Sequence, residues 1–116
     1  MWEGMDQRRF PRAKCRCKVK ISQRGSTATL ATATENIGLG GVCVLLERGL
    51  DIFSTVELEL VLDDSGPPMK LQGSVVWVVR RQELKKGPSF DTGIEFSGLS
   101  PQQKARLESV IDRANA

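Results

Sequence analysis

The run Arg8-Arg9-Phe10-Pro11-Arg12 is the first stretch whose residue types can do chemistry. Pro11 holds Phe10 in an extended conformation. In an extended chain, side chains four residues apart point to the same side, so Arg8 and Arg12 can converge on one ligand. A guanidinium forks bidentately onto a phosphate or onto the O6/N7 edge of guanine. Alone the spacing is a weak pattern, because basic chains produce it by chance. A second candidate follows some two dozen residues later, Asn36-Ile37-Gly38-Leu39-Gly40-Gly41. Its glycines permit close approach of a ligand to backbone N–H groups, and the Asn36 amide both donates and accepts. The competing reading is a tight glycine-rich connection between strands. The chain contains no His, which removes the Ser-His-Asp triad, the Cys-His dyad and His-ligated metals, and with them most hydrolytic chemistry.

Charge supports an anionic ligand. Residues 1–25 hold eight basic and two acidic side chains, net +6, which leaves −3 on the remainder of a chain whose total is +3. A basic segment on a slightly acidic body suits a nucleotide, a nucleic acid or a membrane surface; a solvated basic strand is the plainer alternative. Cys15, Cys17, Val19 and Ile21 alternate with Arg16, Lys18 and Lys20, the period of a half-buried strand. Reduced cysteines at such positions behave as small core hydrophobes, and no metal site is expected.

The elements that must position these residues are mostly strands. The 116 residues predict one domain, with 40% apolar and 27% charged residues as in ordinary globular chains. No apolar run approaches the roughly 20 residues that span a bilayer, and the first residues do not read as a secretory signal, so the expected location is cytoplasmic, without membrane insertion. Strands are predicted over 13–22, 26–34, 42–46, 55–62, 69–80 and 91–97, with loops over 35–41, 47–54 and 81–90. In the fifth of these, Leu71, Val75, Trp77 and Val79 share one face by period 2. In the last, Ile94 and Phe96 point inward. Ser100-Pro101-Gln102-Gln103 combines a Ser cap, Pro at the first helical position and Gln three residues after the cap. It opens a helix over about 100–113 whose stripe is Leu107, Val110, Ile111 and Ala114. Six short strands and a terminal helix predict an all-β, six-stranded antiparallel β-barrel plus a C-terminal α-helix. Residues 1–12 are expected to form a flexible segment carrying the arginines, and 13–116 the barrel with its helix.

The combination is more specific than its parts. An RxxxR before a basic strand, a loop like [DN]-x-S-x-x-G, a strand with Val75-Val76-Trp77 and a strand with Gly93-Ile94-Glu95-Phe96 before a short helix resemble the PilZ domain family of bacterial cyclic di-GMP receptors, over roughly residues 7–113. The resemblance implies that Arg8, Arg9 and Arg12 grip phosphate and guanine of cyclic di-GMP, while Asn36, Gly38 and Gly41 read its other face. Gly38 departs from the pattern, which has Ser there; the missing hydroxyl is worth about 0.5–1.5 kcal/mol as a neutral hydrogen bond. It further implies no catalytic residue, no cofactor and no metal. It also implies signal transduction to an unidentified separate protein partner through ordering of the N-terminal segment, with homo-oligomers left open. Two alternatives stand beside this: a degenerate PilZ-like interaction module without nucleotide, and a small basic barrel binding single-stranded nucleic acid through Arg16, Lys18 and Lys20. The scarcity of aromatics, 5%, argues against nucleic acid, whose binders use stacking platforms.

Overall fold

A computed structural model describes residues 12–13, 17–23, 29–62, 66–83 and 87–115. The elements are β1 (Arg12–Ala13), β2 (Lys18–Gln23), β3 (Thr29–Gly38), β4 (Gly41–Leu46), β5 (Thr55–Val61), β6 (Met69–Glu83), β7 (Gly87–Ser97) and helix α1 (Pro101–Asn115). All pairings are antiparallel, in the order β3-β2-β5-β6-β7-β4 with β4 returning to β3. Six strands thus close into a barrel, which leaves the sheet no free edge along the ring. The two-residue β1 joins β3 beside β2.

Alternation dictates which face is inside. Val19 and Ile21 of β2 and Val56, Leu58 and Leu60 of β5 are buried, while Lys18, Lys20 and Glu57 are exposed. Cys17 is buried at 3% exposure, as its place in the alternation requires; Cys15 lies outside the described residues. Leu107, Val110 and Ile111 of α1 belong to the same core cluster as the barrel interior, whereas Ala114 is exposed.

Three expectations are corrected. Residues 35–38 are not a loop but the end of β3, leaving only Leu39 and Gly40 between β3 and β4. Residues 81–90 are largely strand, since β6 runs to Glu83 and β7 starts at Gly87. The polar stretch misleads because Arg81, Gly87 and Pro88 are exposed although their backbone is strand. Finally, Leu71 and Val75 do not share a face with Trp77 and Val79. The β6–β7 register shifts between Val75 and Trp77, so Val76 is an extra residue and the alternation inverts beyond it. Val78 then packs against the core and Val79 is 53% exposed.

Candidate functional site

The end of β3 brings the two motifs together. Arg12 pairs with Gly38, and Ala13 with Ile37. Further along the same edge Lys18 pairs with Ala33. Buried Thr34 is fixed to Cys17: its Oγ1 accepts from the Cys17 N–H at 2.9 Å, and its own N–H donates to the Cys17 carbonyl at 2.8 Å. Arg8 and Arg9 lie outside the described residues, so the backbone of Arg12 is what locates the arginine motif.

Asn36 and Gly41 flank the same corner. Gly41 opens β4 opposite Glu95, and the Phe96 N–H donates to the Gly40 carbonyl at 2.9 Å. Gly38 is buried in extended backbone; among the described residues the glycines with positive φ are Gly87 and Gly98. Directly opposed residues of antiparallel strands share a face. The row Ile37–Val42–Ile94–Val75 is fully buried, so it points into the barrel. The adjacent row Asn36–Cys43–Gly93–Trp77 therefore faces outward across four strands. A Cβ on Gly93 would overlap the Trp77 indole, so glycine there lets the ring lie against the sheet. Asn36 and Trp77, both half-buried, stand at the two ends of this strip.

One step along the strands lies a charged cluster. A register shift between Thr34 and Asn36 makes Glu35 the extra residue of β3. Its Oε1 accepts from the Cys43 thiol at 3.8 Å, and the Asp91 carboxyl acts on it from β7. Arg81 Nε lies 3.5 Å from Asp91 Oδ2. Glu35 sits above the ordinary carboxylate value: partial desolvation is the main cause, the Asp91 carboxyl adds to it, and Arg81 and the Cys43 thiol pull back.

Glu35, Cys43, Trp77, Arg81, Asp91 and Gly93 escaped sequence reasoning as site residues. Their common signal is registry across four strands. Only Val75-Val76-Trp77 marks the bulge locally, as a run of apolar residues too long for alternation. An open groove of about 660 Å³ lies elsewhere, over β2, β5 and β6, and contains none of the motif residues. Its Lys20–Glu59–Lys70 row is a cross-strand charge ladder in which two lysines flank one glutamate, leaving one net positive charge.

The fold has close counterparts among solved structures. The PilZ domain of YcgR from Escherichia coli, solved with c-di-GMP, matches at TM-score 0.75 and 17% identity, over 94% of this chain and 92% of that one. Apo MrkH of K. pneumonia matches at TM-score 0.77 and 13% identity, over 95% of this chain and 51% of that one. Bacillus subtilis MotI/DgrA, an inhibitor of motility, matches at TM-score 0.73 and 17% identity, over 92% of this chain. The chain spans half of MotI/DgrA, 50% of its length. No curated protein sequence matches. The PilZ domain model matches residues 6–113, which takes in both motifs, every strand of the barrel and most of α1. On that match, and on the closed barrel that carries it, the chain belongs to the PilZ domain family.

Proposed function

We propose that this domain is a cytoplasmic receptor for cyclic di-GMP, acting by binding rather than catalysis, and that it signals to a separate protein partner. The observation that carries the reading is the β1–β3 register, in which the last motif arginine, Arg12, stands opposite Gly38 of the second motif. The ligand is a dianion with two guanines, so guanidinium forks address both its charge and its base edges. In this reading Arg8, Arg9 and Arg12 hold phosphate and guanine, Asn36, Gly38 and Gly41 form the opposing wall, and Trp77 bounds the outer row. That family relatives of the same fold were solved with c-di-GMP supports the choice of ligand. Binding draws the segment carrying Arg8 and Arg9 onto the barrel, and the new surface is what a partner reads.

Calorimetric titration with cyclic di-GMP tests this. The wild type binds. Arg8→Ala and Arg12→Ala each cost about 1.5–3 kcal/mol, roughly tenfold to over a hundredfold in Kd. Asn36→Ala weakens binding as well. Gly38→Ser tightens it by up to about 1 kcal/mol, because extended backbone accepts serine without strain. Unchanged affinity in both arginine variants sinks the site. No binding in the wild type and none gained in Gly38→Ser favours the second reading, a PilZ module that works through protein contacts alone; the Gly at position 38 is the observation behind it.

A further inference from the structure

The loop between β4 and β5 holds two apolar side chains in solvent. Its inner part is fastened: Leu50 packs against the core, and Gly49 lies so close to the Phe90 ring that a Cβ would sit 3.2 Å from it. Its outer part is a tight turn. The Ser54 N–H donates to the Asp51 carbonyl at 3.1 Å, and the Ser54 hydroxyl donates to the same oxygen at 2.6 Å. The Phe53 N–H donates to the Val75 carbonyl at 2.6 Å, and the Val75 N–H donates to the Ser54 carbonyl at 3.0 Å. Phe53 and Ser54 together thus face Val75 as a bulge. The third position of such a turn needs left-handed backbone, and Phe53 has φ 69° where glycine is the favoured residue.

Burial does not repay that strain. Phe53 is 81% exposed and Ile52 51%. Val61 and Val79, the other exposed large apolar residues among those described, stand singly on strands, as is ordinary. Two adjacent apolar side chains held out by a strained, hydrogen-bonded turn are a displayed surface.

The geometry points to the Ile52–Phe53 turn as the docking surface for a separate protein that offers an apolar pocket with a basic rim. Around the tip, Glu47 and Asp51 outnumber Arg48, and all three are exposed, so the surface is net negative. That disfavours an anionic bilayer, whose peripheral binders use basic residues. Two side chains suit the small, transient contacts of signalling, below roughly 1,200 Å², and fall far short of the roughly 2,000 Å² or more that obligate pairs of identical chains bury. One aromatic anchor in a preformed pocket, by contrast, dominates many interfaces between unlike proteins. The turn also meets the outer row: Val75 faces the Phe53–Ser54 bulge on one side and precedes the Val76 bulge, next to Trp77, on the other. The inference rests on the receptor reading for taking the receiver to be a separate protein.

A photo-crosslinking residue at position 53 of the full chain, in the cells that make it, is the first measurement, with position 61 as control. A discrete protein adduct is expected at 53 and not at 61, and it disappears with Ile52→Ser. The adducted protein, purified, binds the wild-type chain, and Phe53→Gly weakens that binding at least about thirtyfold. The same variant melts at a higher temperature than wild type, because glycine relieves the turn. Unchanged partner affinity in Phe53→Gly overturns the inference, as does crosslinking no different from position 61, to lipid, or only to a second copy. Cyclic di-GMP titration of Phe53→Gly is expected to match wild type. A wild type that binds no nucleotide would remove the receptor reading while leaving the docking result to stand or fall by itself.

Discussion

Glu35 shows how one residue's place in a strand sets its chemistry. As the extra residue of the β3 bulge it stays exposed to solvent yet meets the Cys43 thiol and feels the Asp91 carboxyl. Its carboxyl is raised above 4.5 by desolvation first and by Asp91 second, against the pull of Arg81 and Cys43. An acid raised on folding holds its proton more tightly in the folded chain. The folded state is therefore favoured at low pH and loses stability as pH climbs from 4.5 through the raised value. Glu35→Gln keeps an acceptor for Cys43 and removes the ionisable group, so it should melt above wild type at about pH 7 and lose that advantage below about pH 4. A wild type that is the more stable at neutral pH would refute the assignment. Asn36, Gly38 and Gly41 could be proposed from the sequence because they lie in one contiguous run, and the strands place them at one corner of the barrel. Glu35 could not, because Asp91 and Arg81 reach it from β7 and β6, and one chain read in order does not reveal which strands become neighbours.

Among elements, α1 is the one whose start is written out in full. The Gln103 N–H donates to Ser100 Oγ at 3.1 Å, and the Ser100 N–H donates to Gln103 Oε1 at 3.0 Å, so two otherwise orphaned donors are satisfied reciprocally. Gln103 Nε2 also donates to the Lys70 carbonyl at 2.9 Å, which ties the helix start to β6. Ser100→Ala should cost about 1 kcal/mol and lower the melting temperature by several degrees. Gln103→Ala should cost at least as much, because it loses the β6 tether as well. An equal melting temperature in both variants, by circular dichroism, would show the cap to be idle. β2 and β5 were equally legible, since strict alternation meets no bulge along their length. β6 was not: a period-2 reading carried past Val76 puts Trp77 and Val79 on the wrong face, and only pairing with β7 reveals the slip. The extension of β3 through Gly38 was hidden for a related reason. Glycines mark turns in sequence, yet here extended glycine backbone lines a hairpin that Arg12 must approach closely.

At the scale of the whole molecule, a closed ring of strands has ends that must be covered, and α1 supplies apolar cover. Leu107 and Ile111 are fully buried and share one core with Val19, Leu60 and Ile94 of the barrel. Two backbone anchors, Gln103 to Lys70 and Arg106 Nη2 to the Pro67 carbonyl at 2.6 Å, hold the helix to β6 and the turn before it. The helix should therefore share the barrel's stability. Truncating Ile111 to Ala leaves a cavity in that shared core and should cost about 2–5 kcal/mol. Against a total of about 5–15 kcal/mol, such a loss is felt by every strand. In a Trp2→Phe background, which leaves Trp77 as the sole indole, helical circular dichroism and Trp77 fluorescence should consequently lose signal at one common urea midpoint, shifted downward together on adding Ile111→Ala. A helix that melts at lower urea than the Trp77 signal, with or without Ile111→Ala, would mean that α1 is an appendage on a barrel stable without it.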